Sequence, residues 1–442
     1  MKRFHRSARP APLPAAKHAA RGQGASKGGE GEIRTLRIEE MGARGHGVAQ
    51  GAIGPIYAPL SLPGEVIEAR ITGDRAEIEQ IRERSKARIA PSCPVFGRCG
   101  GCQLQHWQEG PYLAWKEQVI TQALAKRGLE VALEPITAAW GQGRRRAAFH
   151  AARSGRAIDF GFMRRDGAGI EKINACPLLS ASLEAKIPDL QRLAAALVPE
   201  KGEIVLQCLE TQSGLDVNVR GAGQAPLQSS QLAKTSAAIL QADIARLSFE
   251  GDVFLAPRRP LIQIGQASLE PPPGAFAQAT QAGEDMIAKL VQEAVAGAKS
   301  VADLFCGMGT FALRLAQSSE VLAVEGDASM LLALRAGAEG CAGRLKPITT
   351  LRRDLLRNPL AALEMKRIEA VVMDPPRSGA RLQAEQIAAS KIALVASVSC
   401  DAMTFARDAK VLIDGGFRLT RLSPVDQFRW SPHIELVGKF VR

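Results

Sequence analysis

The sequence lacks an unbroken apolar run long enough to cross a bilayer, which excludes an ordinary spanning helix. It also lacks the pattern of a secretory leader. The first thirty residues are basic, broken by Pro and Gly, and hold no apolar stretch, so a cytoplasmic chain is expected. Acid is in deficit: 45 Asp and Glu stand against 57 Lys and Arg, a net charge of +12. Half of that charge lies in residues 1–30, which are poor in bulky apolar side chains and are expected to form a disordered basic tail. The tail could neutralise phosphates of a nucleic acid or serve only as a solubilising leader. With Arg144-Arg145-Arg146 and Arg164-Arg165 further on, the charge favours a polyanionic partner without naming it. Eight cysteines in a cytoplasmic chain point to metal ligation or catalysis rather than disulfides. At 442 residues the chain exceeds one ordinary core, so two or three domains are expected.

From about Glu32 to Arg84 short alternating stretches are separated by Gly and Pro turns, the pattern of a small β-barrel. Within it, "MGARGHGVA" and "IYAPLSLPGEVIEARI" resemble a TRAM domain, an OB-like barrel found on RNA-modifying enzymes. A cysteine-rich segment follows, and Gln103–Arg127 reads as a helix. Residues 140–270 mix strands and helices, and Pro271–Gly274 reads as a linker, because three prolines stop any regular element. From Phe276 onward strands alternate with helices. The strands are expected at Ser300–Phe305, Val321–Glu325, Ile368–Met373 and Ile392–Val398, in a parallel, doubly wound α/β sheet. The last segment adds two strands, read as an antiparallel edge hairpin. The expected division is a tail at 1–30, a barrel at 31–90, a central domain at 91–274 and an α/β domain at 275–442.

In "VADLFCGMGTFALRLA" a strand runs through a glycine turn into a helix. Gly307 and Gly309 let backbone approach a ligand and open a helix N-terminus towards it. Glu325 closes the next strand, where an acid can take ribose hydroxyls. Asp354 in "LRRDLL" could face a base edge, and Asp374 opens "DPPR" after the fourth strand. A nicotinamide cofactor would suit the first two features; "DPPR" and "VSC" at successive strand ends argue for an S-adenosylmethionine methyltransferase. The bland alternative is that these acids are caps and surface charges.

Cys93, Cys99 and Cys102 lie within ten residues, and the glycines between them allow tight turns. A fourth soft ligand would be Cys176 in "NACPLL". An iron–sulfur cluster and a four-thiolate zinc site both satisfy this spacing. Cys208 and Cys341 are isolated, and Cys306 beside the glycine turn is expected to pack. Cys400, in "VSCDAMT", sits where a buried strand turns into a helix. There it could fill core, hold metal or act as a nucleophile; the helix dipole favours its thiolate, whereas neighbouring Asp401 should oppose it.

Taken in order, "PSCPVFGRCGGCQLQHW", "NACPLL", "FAQAT", "DLFCGMGTFAL", "DPPRSGA", "VSCDAMTFARD" and "HIELVGKF" resemble the RNA uracil-5-methyltransferases. The branch is the iron–sulfur one that modifies 23S ribosomal RNA. The resemblance implies three parts: a TRAM barrel, a small α/β iron–sulfur domain and a Rossmann-like class I methyltransferase domain. It implies Cys400 as nucleophile, Glu435 as base and Asp374 organising the pyrimidine edge. Gln278, Phe305, Thr310, Glu325 and Asp354, with the Gly307–Gly309 turn and Asp374, would hold S-adenosylmethionine. Cys93, Cys99, Cys102 and Cys176 would hold a [4Fe-4S] cluster. The implied partner is 23S rRNA, the implied state a monomer. This chain departs from the family pattern at Asp401-Ala402, where relatives have Asn-Pro, and at Thr280 and Thr310, where they often have Asn. The same chemistry on tRNA is an alternative; two readings of other classes are a redox-sensing RNA-binding protein with a degenerate catalytic domain and an amino-group methyltransferase. Cys400, Asp374 and Glu435 together speak against the first, Arg377 and Cys400 against the second. His433 is expected on the face of Glu435, in a structural role.

Overall fold

A computed structural model describes residues 31–221, 229–341 and 343–442. The expected basic tail lies outside the described residues.

Six strands between Glu32 and Glu83 form the first sheet, with Glu32–Arg37 beside Val66–Thr72 and Glu40–Met41 at the opposite end. Alternate residues point one way, as strands require. Leu36, Ile56, Ala58, Ile67 and Ala69 therefore share one small core. A second, seven-stranded sheet runs between Arg146 and Leu255, with Arg146–Ser154 against Glu203–Thr211 at its centre. The helix Ile187–Leu197 covers it, burying Ile187, Leu190 and Leu193.

The third sheet is doubly wound. Its strands are β1 (Ser300–Leu304), β2 (Glu320–Glu325), β3 (Ile348–Arg352), β4 (Ala370–Met373), β5 (Leu394–Ser399), β6 (Arg418–Asp426) and β7 (Glu435–Val441). The order is β3-β2-β1-β4-β5-β7-β6, parallel up to β5, with β7 antiparallel between β5 and β6. Both faces are covered, so β4 reads as the continuous apolar run Ala370-Val371-Val372-Met373, wholly buried. Period two still sorts it: Val371 and Met373 pack on one face with Phe405 and Phe440, Ala370 and Val372 on the other with Val291 and Leu334. Helix caps fix the entries. Thr280 Oγ1 accepts from Gly283 N at 2.9 Å, and Asp327 and Asp401 do the same for Ala328–Glu339 and Ala402–Asp414.

Three features differ from the expectations. The last two strands do form an antiparallel pair, but β7 lies inside the sheet and β6 is extended further by Thr137–Ala138. The helix Glu109–Ala125 packs Ile120 and Leu124 into the core of the third sheet. Just ahead of the three prolines, the hairpin Ile262–Ile264 and Ala267–Leu269 also docks there, Leu269 lying against Gly337.

A buried ion pair holds that helix in place. Lys116 Nζ lies 2.8 Å from Asp426 Oδ1, the two side chains 1% and 0% exposed. Tyr112 donates its hydroxyl to Asp426 Oδ2 at 2.9 Å, and Phe428 N donates to Oδ1 at 2.9 Å. Lys116 also donates to the His433 carbonyl at 2.7 Å. Burial pulls the Lys116 ammonium down to about 8 against the pull of Asp426. Breaking such a pair leaves an unpaired buried charge, which costs about 3–5 kcal/mol. Lys116→Met should therefore lower stability by about that amount in urea unfolding, and Lys116→Met with Asp426→Asn should recover much of it. Equal loss in single and double variants would show that the pair is not what holds the helix.

Candidate active site and cysteine cavity

The carboxyl ends of β1, β2, β4 and β5 and the start of β7 share one edge of the third sheet. Strand order reverses between β1 and β4, and open α/β sheets bind ligands outside such a switch point.

At the end of β1 the backbone turns sharply. Phe305, expected as the last strand residue, lies one past it with φ 62°, a conformation that costs a non-glycine residue roughly 1–3 kcal/mol. Gly309 has φ 94°, and a Cβ there would come within 2.9 Å of Leu334 Cγ, so only glycine lets the next helix pack this close. A Cβ on Gly307 would meet nothing, so open space stands over that residue. Glu325 faces the turn. Its Oε2 accepts from Gly307 N at 3.1 Å, and its Oε1 from Gly326 N at 2.6 Å and Asp327 N at 2.9 Å. Thr310 gives its carbonyl to Arg314 Nη1 at 2.9 Å. Asp354 stands at the end of β3 but is exposed, caps its own turn through Leu356 N at 3.1 Å and lies 3.6 Å from Arg357. Thr280 is committed to structure, capping its helix and donating to the Ala139 carbonyl at 2.7 Å.

Sequence reasoning missed two residues here. Asp303, in the middle of β1, is fully buried with neither carboxylate oxygen in a hydrogen bond of normal geometry among the described residues; burial keeps its carboxyl well above the usual range. The signal was an acid inside an apolar strand. Gln427 is the other. Its Nε2 donates to Gln278 Oε1 at 2.6 Å and to Glu435 Oε1 at 3.1 Å, while its Oε1 accepts from Ala279 N at 3.0 Å. A single buried amide thus joins the cofactor candidate Gln278 to the base candidate Glu435. No local pattern marks it, because its partners lie on another segment.

Cys400, Asp374 and Glu435 come together at this edge. Each acid raises the Cys400 thiol, and Asp374 raises Glu435. Burial is the larger cause throughout. It pushes Cys400 up to about 11, Glu435 up to about 8 and Asp374 up to about 7. Asp374 is half-buried as a residue, yet its carboxyl sits deep enough for burial alone to shift it. The expected help of the helix dipole is thus outweighed. Asp401 is not among the groups that raise Cys400: its carboxylate turns into the helix cap, accepting from Thr404 N at 2.9 Å. Arg377 is the counter-charge, pulling both Cys400 and Glu435 down. Its Nη2 meets His433 Nε2 at 3.3 Å. His433 lies in the loop before β7 rather than on the strand face expected for it, and burial holds its ring neutral, down to about 4.

Away from this edge, Cys93, Cys99, Cys102 and Cys176 all line one cavity of about 230 Å³, with Arg144 and Arg146 also in its wall. Burial and the neighbouring thiols raise Cys102 to about 12 and Cys176 to about 11. Among the described residues no three His, Cys, Asp or Glu side chains are placed to hold a metal ion at one point. Cys306 is buried in a core, as expected, and the isolated Cys208 and Cys341 are buried in cores too.

A family model described as tRNA (Uracil-5-)-methyltransferase matches residues 269–441. An uncharacterized RNA methyltransferase of Caulobacter vibrioides is 42% identical over 416 residues, covering 93% of this chain and 100% of that protein. One of Brucella suis is 42% identical over 91% of this chain and 96% of its own. The 23S rRNA (uracil(1939)-C(5))-methyltransferase RlmD of Vibrio vulnificus is 27% identical over 93% and 97%. Among solved structures, the Pyrococcus abyssi tRNA (uracil-54, C5)-methyltransferase in complex with S-adenosyl-L-homocysteine superposes with a TM-score of 0.71. It covers 92% of this chain and 99% of its own at 21% identity, a likeness of fold. By its near full-length identity to such relatives, and by the uracil-5-methyltransferase model over its doubly wound sheet, the chain belongs to the RNA methyltransferases.

Proposed function

We propose that this protein transfers a methyl group from S-adenosylmethionine to C5 of a uridine in 23S rRNA through a covalent Cys400 adduct. The observation that carries this reading is the meeting of one thiol and two proton-holding carboxyls beside a glycine turn at the switch point of the sheet. C5 of uracil is too weak a nucleophile for a sulfonium methyl on its own. Addition of the Cys400 thiolate to C6 moves the C5–C6 π electrons towards C4 and O4, making C5 an enolate carbon. C5 then takes the methyl group, and the sulfonium leaves as S-adenosylhomocysteine. Glu435 removes the C5 proton, the C5–C6 double bond reforms, and the Cys400 thiolate is expelled. Asp374 and Arg377 face the same space and would meet the pyrimidine edge and the thiolate. The turn Phe305–Thr310, Gln278 and Glu325 would hold the methyl donor; Asp354 would reach its base only by leaving its cap. The choice of 23S rRNA rests on the relative from Vibrio vulnificus. The six-stranded sheet is read as the TRAM-like domain. The division at residues 30, 90 and 274 stands as a proposal, as does a cytoplasmic monomer.

The four cavity cysteines are read as the ligands of a [4Fe-4S] cluster. In such a cluster each thiolate binds its own iron, so the four sulfurs need a shared space and not a common point. Four thiols around one cavity offer such a space. With four thiolate ligands it would supply a structural tie between the loop 93–102 and the segment at 176.

Four outcomes test this reading. Cys400→Ala should abolish methyl transfer while RNA and S-adenosylmethionine still bind. With 5-fluorouridine RNA, whose fluorine Glu435 cannot remove, a denaturation-resistant adduct should form and vanish in Cys400→Ala; an active enzyme without that adduct would refute covalent catalysis. Because Glu435 must be ionised to accept the proton and sits near 8, kcat/KM should rise with pH through about 8. A profile that is flat or falling between pH 7 and 9 would remove Glu435 from the role of base. Anaerobically purified protein should be brown and carry iron and sulfide in equal amounts, and zinc without iron would overturn the cluster.

A further inference from the structure

Between the first sheet and the cysteine-bearing loop lies a cleft of about 760 Å³. Its wall holds six arginines, Arg70, Arg75, Arg88, Arg98, Arg164 and Arg165, against two acids, Glu77 and Asp166. Four of the arginines are already paired, with Glu79, Glu65, Glu171 and Asp166 in turn. Among the described residues Arg75 and Arg165 have no carboxylate partner, and the Arg165 Nε is buried without a hydrogen bond. The remaining wall is apolar, with Leu60, Ile78 and Phe96. His106 lies in it as well. It is 1% exposed, its ring 5.3 Å from that of Phe96. Neither ring nitrogen has a hydrogen bond of normal geometry; the Ser61 backbone approaches without closing one. A buried polar ring left this way costs free energy unless a ligand completes it.

We propose that this cleft is a second RNA seat, remote from Cys400, for a single-stranded nucleotide of the substrate. Arg75, with no carboxylate partner, and Arg165, with its Nε unpaired, suit phosphate. An aromatic wall suits the face of a base, and a neutral ring nitrogen with an open valence suits a base edge or a ribose hydroxyl. The volume fits a nucleotide rather than a small ion. An acidic peptide would satisfy the arginines but would leave Phe96 and His106 without a flat partner. The cleft is also tied to the cysteine loop: Arg165 Nη2 donates to the Cys102 carbonyl at 3.0 Å, and Arg165 N to the Arg98 carbonyl at 2.8 Å. A strand held here would therefore rest on the rigid part of the molecule while its target uridine is presented elsewhere.

The proposal rests on RNA being the substrate, and its test reads binding and not methylation. Fluorescence anisotropy of the full chain with a labelled single-stranded oligouridylate is compared with an abasic oligomer of equal length. Arg75→Glu, an exposed change, should weaken both about tenfold and reduce the salt slope by about one. Phe96→Ala should weaken only the base-bearing oligomer, again about tenfold. Arg418→Glu, at the opposite end of the third sheet, should change neither beyond about twofold. Arg75→Glu binding like the unaltered protein with the same salt slope would overturn the seat, and equal loss of both oligomers in Phe96→Ala would overturn its base contact. If 5-fluorouridine RNA gives no adduct while these binding losses appear, the chemistry assigned to Cys400 fails and the seat stands. The reverse result removes the seat alone.

Discussion

The carboxylate of Asp426 is the constraint on which the active edge depends. Fully buried, it is held by Lys116, by the Tyr112 hydroxyl and by the amide of Phe428. It therefore does two things at once. It docks the helix Glu109–Ala125 onto the third sheet, and it fixes the turn that carries the chain from β6 back into β7. The next residue, Gln427, spends its amide on Gln278 and Glu435. Further along, the Trp430 carbonyl accepts from Gln103 N at 2.9 Å and Leu104 N at 3.1 Å, in the cysteine-bearing loop. One turn thus receives contacts from the helix, the cofactor-side segment and the cysteine loop. Moving any of them shifts the strand start at which Glu435 stands.

The electrostatics of the edge follow from the same burial. A carboxyl removed from water prefers its proton, so Glu435 and Asp374 hold theirs to near neutrality. That suits groups meant to exchange protons at cellular pH. It also costs stability, and the sign is definite. The folded state binds the Glu435 proton more tightly than an unfolded chain with an ordinary value of 4.5, so stability falls as pH rises from about 4.5 towards 8. Arg377 opposes this by favouring the ionised forms of both Glu435 and Cys400, and it is exposed, where a bound substrate can alter its surroundings. With its thiol pushed up to about 11, Cys400 is protonated at neutral pH, and its ionisation would require such a change.

Much of the third sheet was legible because its signals are local. Four buried apolar runs gave four of the five parallel strands within a residue or two, with β3 not among them, and Gly307 and Gly309 marked the turn. Cys400 and Asp374 announced themselves as polar residues at strand ends. What was not legible depends on contacts between distant segments. Tyr112 meets Asp426 across 314 positions, and Gln278 meets Gln427 across 149, so no periodicity marks either. The hairpin at 262–269 is too short and too close to prolines to stand out, yet it completes the packing around Gly337. Asp354 shows the reverse case: its place after a strand suggested a ligand contact, whereas its hydrogen bonds are those of a turn cap. The reactivity of Cys400 was misjudged for a physical reason. Helix dipole and adjacent Asp401 are visible in sequence, but burial and the facing acids, which decide the outcome, are not.

The eight cysteines sort themselves by what surrounds their sulfur atoms. Cys208, Cys306 and Cys341 lie in apolar clusters, each with a backbone carbonyl near its thiol, and have no neighbouring sulfur to share a ligand with. Burial first, and then their cysteine neighbours, raise the thiols of Cys99, Cys102 and Cys176, and Arg144 and Arg165 lie beside the set. Thiols that repel one another as anions and lie beside fixed cations form a set suited to a shared electron-poor centre. Cys400 feels none of these. The groups that act on it are two carboxyls and one guanidinium, which can take up and return a proton but cannot share a ligand with it. The four cavity cysteines and Cys400 are therefore distinguished by their neighbours alone. The turn at Trp430 is where the two environments touch without mixing.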